Sequence, residues 1–197
     1  MEGTNPVNKK LTAALSGGAV LVLALSGCSS SDDNSEKLNS WAKQVCDAVQ
    51  PQTKKITAAN ASIQQETSDD SAPEAVQKVD SQAFQDISDA YKAMSTAVQK
   101  AGAPDVENGK TKMRAAVSEL NTLSTAYADL KKKSDALDVK DQAKFAEGLK
   151  GVAVELEKLS KSGSDALAKL EEGDVGKAMA KQQSCKTAAG SSSATKS

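Results

Sequence analysis

The chain has 197 residues, 25 basic against 26 acidic side chains, 3% aromatic residues and no histidine. A net charge of −1 gives no global field to draw it to nucleic acid or anionic lipid, and the lack of histidine removes the commonest general base and metal ligand together. Abundant alanine, lysine, serine and leucine favour long amphipathic helices with slim contacts over a thick core or a β-sandwich.

Lys9 and Lys10 precede an apolar run from Leu11 to Leu25, softened by Gly17 and Gly18. Charge, a short apolar core and small residues, in that order, make a secretory signal; the run is shorter than the ~20 apolar residues a membrane helix needs. Leu25-Ser26-Gly27-Cys28 resembles a bacterial lipobox. The resemblance implies a diacylglyceryl group on the Cys28 sulfur, cleavage just before it, and a protein held by that lipid at the outer face of the cytoplasmic membrane. An ordinary cleaved signal with an incidental cysteine is the plainer alternative. Residues 1–27 are then a signal peptide, and removing Lys9, Lys10 and Glu2 leaves 23 basic and 25 acidic residues in a chain of 170, one domain of ordinary size.

Residues 28–35, mostly Ser and Asp, are expected to form a flexible tether with an r.m.s. span of ~15 Å. A first helix is predicted from about Glu36 to Glu66, with Ser35 as its cap and an apolar stripe of Leu38, Trp41, Val45, Val49, Gln52, Ile56, Ala59 and Ile63. Pro51 should kink or split it. In that stripe Trp41 reads as a core anchor and not as a ligand platform. A loop over 66–72 follows.

The second helix shows the clearest start: Ser71 and Glu74 have capping-box spacing and Pro73 suits an early turn. Val76, Val79, Ala83, Phe84, Ile87, Tyr91, Met94 and Val98 keep step, and Gly102 and Pro104 end it. A third helix is expected from about Asp105 to Ala136, and a fourth from about Asp141, its cap by position, to Glu171. Within the fourth, Gly148, Gly151 and Gly163 either weaken the helix or let a neighbour come close. A short fifth helix capped by Asp174 runs to about Lys186, and residues 187–197 read as a disordered tail. The fold class is therefore all-α: over residues 36–186, an antiparallel up-down four-helix bundle with a short fifth C-terminal helix. A tether at the start places the turns near Gly102 and Gly173 beside the bilayer and Lys131 to Asp141 at the far tip.

With Cys28 committed to lipid, Cys46 and Cys185 remain, in a compartment where disulfides persist. Each lies about ten residues up its helix, ~15 Å above the membrane-side end at the helical rise, so a pairing is expected if the fifth helix packs along the first. Two free buried thiols are the alternative.

The lipobox, Trp41 and Cys46-Asp47-Ala48 early in a helix, Gly102-Ala103-Pro104 between helices and Cys185 after Gly173-Asp174 together resemble the small secreted proteins and lipoproteins of high-GC Gram-positive, Streptomyces-like actinobacteria. That resemblance implies a helical architecture, brings no established activity, and carries over no functional residue except Cys28.

No catalytic residue, metal site or cofactor is expected. No nucleophile elbow, phosphate-cradling loop or C-x-x-C is present. Asp135, Asp138 and Asp141 do not follow the EF-hand alternation and read as capping and solvation; Asn60-Ala61-Ser62 matches a glycosylation sequon that the bacterial lipobox makes irrelevant. Lys131-Lys132-Lys133 is the notable charge run. It reads as a solvated last turn favoured by the helix dipole, or as a contact for a protein or anionic wall polymer. The functional expectation is a lipid-anchored, non-enzymatic interaction module of the cell envelope. The alternative is a lipoprotein holding a small hydrophobic or anionic ligand in a cavity lined by Phe84, Tyr91, Leu120, Phe145 or Leu156.

Overall fold

The computed structural model describes residues 29–66, 71–162, 168 and 170–186, and every regular element among them is helical. In chain order these are α1 (Ser29–Glu66), α2 (Pro73–Ala101), α3 (Gly109–Asp135), α4 (Gln142–Ser162) and α5 (Asp174–Lys181), with one more helical turn over 183–186. The expected signal peptide, lipobox and C-terminal tail lie outside the described residues.

Helix α1 begins at Ser29, so residues 29–35 of the stretch read as a tether are helical. No glycine or proline interrupts residues 29–50, and Asp33 and Glu36 sit in early turns, where carboxylates complement the helix dipole. Side chains 33–37 are exposed, so these turns rest on their own hydrogen bonds. Pro51 lies inside α1 without splitting it. It removes one amide donor, but it is exposed, where water can satisfy the released carbonyl.

The boundary of α2 corrects a second expectation. Its cap position is Ala72, with no side-chain capping bond, because Pro73 takes the first turn and moves the start one residue past Ser71. The Ser71 hydroxyl donates instead to the Glu66 carbonyl. At the other end Gly102 turns the chain with φ of 76°, a left-handed backbone that costs glycine little. Helix α3 starts at Gly109, later than Asp105, because residues 104–108 form their own turn: Val106 N–H donates to Pro104 O at 2.9 Å and Gly109 N–H to Val106 O at 3.0 Å. Asp141 caps α4 as expected, its Oδ1 accepting from the Lys144 amide at 3.1 Å. For α5 the cap is Gly173, and Asp174 lies in the first turn, where it pairs with Lys177 at 2.9 Å. Of the fourth-helix glycines, Gly148 admits Leu137 where a Cβ would stand 2.3 Å from its Cδ2, whereas Gly151 faces open space; Gly163 lies outside the described residues.

Helix α2 is central, packing on α3 and α1, while α4 packs chiefly on α3 and α5 on α1. The largest apolar cluster joins Leu38, Trp41, Val45 and Cys46 of α1 to Met94 and Val98 of α2, Leu120 of α3, and Val175 and Met179 of α5. Two smaller clusters lie beyond it, one around Ala59, Ala83 and Ile87, the other around Phe84, Leu130 and Val152. Burial of a side chain such as Ile87 or Leu120, each at most 2% exposed, contributes about 1.5–3 kcal/mol.

Polar contacts fix the register between helices. Trp41 Nε1 donates to the Gly102 carbonyl at 2.8 Å, pinning α1 to the turn after α2. Gln77 Nε2 donates to the Ser134 and Leu137 carbonyls at 3.0 Å, tying α2 to the turn that ends α3. Between them the Ser88 hydroxyl donates to the Ser124 carbonyl at 2.7 Å.

Candidate functional site

The amphipathic stripes of α1, α2 and α3 do not close completely on one another. Between α1, α2 and α5 they leave an apolar groove of about 700 Å³, within the range that holds small-molecule ligands. Val45, Val49 and Ile56 line it from α1, and Tyr91, Met94 and Val98 from α2, while Leu120 of α3 reaches it across the core. The fourth side comes from the end of the chain: Leu170, Glu171, Gly176, Met179, Ala180, Cys185 and Lys186.

Helix α5 can form that wall because three constraints hold it on α1. Val175, Ala178 and Met179 are buried, the Ser184 hydroxyl donates to Asp47, and Cys46 and Cys185 form a disulfide with Cα atoms 5.0 Å apart. The Cys46–Cys185 pairing expected from the cysteine count is thus present. The descent into α5 is tight: a Cβ on Gly176 would stand 1.7 Å from the Glu171 carbonyl oxygen, so only glycine fits there without moving backbone.

The groove's polar groups are few. Thr53 Oγ1 is occupied within its helix, donating to the Val49 carbonyl at 3.3 Å. Tyr91 stacks on Tyr127 with ring centroids 5.7 Å apart, and burial, then the neighbouring Tyr127, pushes its phenol up to about 12. Glu171 is exposed as a whole residue, yet the desolvation of its carboxyl where it borders the groove raises its pKa. The wall carries no histidine, since the chain has none, and its cysteine is already bonded.

Of the five residues anticipated as a cavity lining, Tyr91 and Leu120 face this groove. Phe84 is buried with Leu130 and Val152 in a separate cluster, against which Leu156 packs, and Phe145 is buried at 4% exposure. The corrected lining replaces these three with residues of α1 and α5. Sequence reasoning missed the role of α5, although the paired Met179 and Cys185 on a short terminal helix were the available signal.

The lysine run is engaged with carboxylates. Lys131 pairs with Asp135 at 2.6 Å, Lys132 with Asp129 at 2.9 Å and Lys133 with Glu155 of α4. The three aspartates at three-residue spacing are spread over different tasks: Asp135 also accepts from Ser81, Asp138 from the Lys140 amide, and Asp141 caps α4. Among the described residues no group of three or more acidic or sulfur ligands is arranged to hold a metal, and no helix is long and apolar enough to cross a membrane. Cys28 and the lipobox residues Leu25, Ser26 and Gly27 lie outside the described residues. Compared with known proteins, the chain matches no family model, no curated protein and no solved structure.

Proposed function

We propose that this chain is an exported lipoprotein, anchored through Cys28 at the outer face of the cytoplasmic membrane, whose helices hold a small apolar ligand without transforming it. The observation that carries the ligand reading is the groove of about 700 Å³ between α1, α2 and α5. Its apolar lining with a few polar groups is what a binding pocket requires. Support for the anchor is the complete lipobox sequence ahead of the first described helix. The lysines 131–133 rank behind the groove as a contact for a partner protein or wall polymer, because each ammonium already has a carboxylate beside it.

In this reading α1 to α4 alternate up and down, an order supported by the short connections at residues 102–108 and 136–141 and by the packing of α2 on both neighbours. The link to the anchor is then helical and not a loose tether: Ser29 to Trp41 spans ~18 Å at the helical rise. Membrane attachment is tested by metabolic labelling with an alkyne fatty acid. The wild-type protein takes up label and sediments with membranes, whereas Cys28→Ser stays unlabelled. A wild-type chain free of label removes the anchor from the proposal. Ligand binding is tested with N-phenyl-1-naphthylamine, whose fluorescence rises in apolar surroundings. The oxidised protein enhances it saturably, and Val49→Trp, which fills the groove, abolishes the enhancement while the helical circular dichroism is retained. Enhancement that survives Val49→Trp places the dye elsewhere and ends the ligand reading.

A further inference from the structure

Two groups of opposite charge border the same apolar groove, Glu171 and Lys186, and neither has an ion-pair partner among the described residues. The Tyr91 hydroxyl, on the opposite wall, also makes no hydrogen bond among the described residues. The remaining lining is aliphatic or thioether, apart from Cys185 in its disulfide and Thr53 with its internally bonded hydroxyl.

Each class of amphiphile would leave these groups in a different state. A neutral head leaves both charges without partners. A fatty-acid carboxylate meets Lys186 but brings a like charge beside Glu171, whose carboxyl is already short of solvent on the groove side. A head carrying both an ammonium and a phosphate matches both, through charge-assisted bonds that are stronger than neutral ones. The volume of about 700 Å³ is that of a site for one small molecule, which suits a single chain.

We propose that the groove takes a single-chain zwitterionic amphiphile, its acyl chain lying against Val49, Met94 and Leu120 and its ammonium and phosphate held by Glu171 and Lys186. This rests on the reading of the groove as a ligand site and adds the chemistry of the head. Affinity rises with chain length, about fourfold per buried methylene, until the apolar wall is covered.

The test is displacement of N-phenyl-1-naphthylamine from the oxidised full-length mature protein by lipid monomers below their micelle concentrations. Lysophosphatidylethanolamine displaces the dye at a concentration roughly fivefold lower than palmitate or monopalmitoylglycerol, the size expected of partly exposed charge pairs. In Glu171→Gln and in Lys186→Gln that preference falls toward unity, while the melting temperature stays at its wild-type value; both side chains are exposed. Equal displacement by all three lipids, or a preference that survives both substitutions, overturns the zwitterion assignment and leaves the groove as an apolar site. No dye binding at all removes the groove reading and this inference with it.

Discussion

Asp80 is a carboxyl on α2 at 6% exposure, and desolvation raises its pKa to about 6. A folded-state value above the unfolded one means that the folded protein binds the proton more tightly. Its contribution to stability is therefore greatest below about pH 4 and is lost as pH rises through 6. From the model-peptide value of 3.8 to about 6, that loss is on the order of 2–3 kcal/mol. Asp80→Asn keeps the shape and removes the charge, so it should raise the unfolding free energy at pH 7.5 by on the order of 1–3 kcal/mol. The gain should vanish at pH 4. Asp47, Asp135, Asp141 and Asp174, whose values are lowered by lysine, serine or amide donors, act in the opposite sense and destabilise the fold as pH falls through their folded values. Because they are common to both proteins, urea titrations of wild type and variant across pH isolate Asp80; an equal difference at both pH values would contradict its buried ionisation.

Trp41 belongs to the same scale, since one bond from Nε1 to Gly102 O at 2.8 Å joins α1 to the turn that ends α2. Trp41→Phe keeps an aromatic ring at a position 7% exposed, but leaves that carbonyl without this donor and the core underfilled. The expected cost is about 1–3 kcal/mol, read as a lower urea midpoint with an unchanged slope. A midpoint equal to wild type would mean that water replaces the indole at no cost.

At the scale of elements, the sequence made periodicity legible and tertiary arrangement much less so. The stripes of α1 and α2 were readable because Leu38, Trp41, Val45 and Val76, Phe84, Ile87 recur at helical spacing, and all are buried. Boundaries were less readable where two signals compete. Ser71 and Glu74 carry the capping-box spacing, but Pro73 fixes the first turn one residue later, and Pro104 gathers residues 104–108 into a turn that delays α3 to Gly109. The groove was only half visible, through Tyr91 and Leu120, because its other walls come from elements far apart in sequence. What brings them together is the Cys46–Cys185 bond across 139 residues. Closing so long a loop stabilises a chain by ~4–5 kcal/mol in the entropy model. Cys46→Ala with Cys185→Ala should therefore lower the melting temperature markedly and weaken dye binding, because α5 then holds to α1 mainly through Val175, Ala178 and Met179. Dye affinity unchanged in the double variant would show that α5 keeps its place without the covalent link.

For the molecule as a whole, stability should be graded along the order in which helices lean on one another. Helix α2 is flanked on both sides, by α1 and α3, and carries Phe84, Ile87, Met94 and Val98 in three different clusters. Unfolding it removes every cluster, so its amides should exchange with solvent only through global opening. Helix α4 stands at the edge. It rests chiefly on α3, with Phe145 and Val152 buried and Val154 51% exposed, and it can detach while the α1–α2–α3 core stays intact. The first turns of α1 are more weakly held still, as side chains 33–37 are all exposed. Native-state hydrogen exchange in increasing denaturant should then give three classes of amide. Those of residues 84–98 should follow the global free energy, those of 145–159 should open at a lower free energy with a smaller denaturant dependence, and those of 33–37 should exchange fastest with almost none. A single free energy shared by α2 and α4 would show that the edge helix is welded to the core, and that the largest apolar cluster is not what sets the cooperative unit.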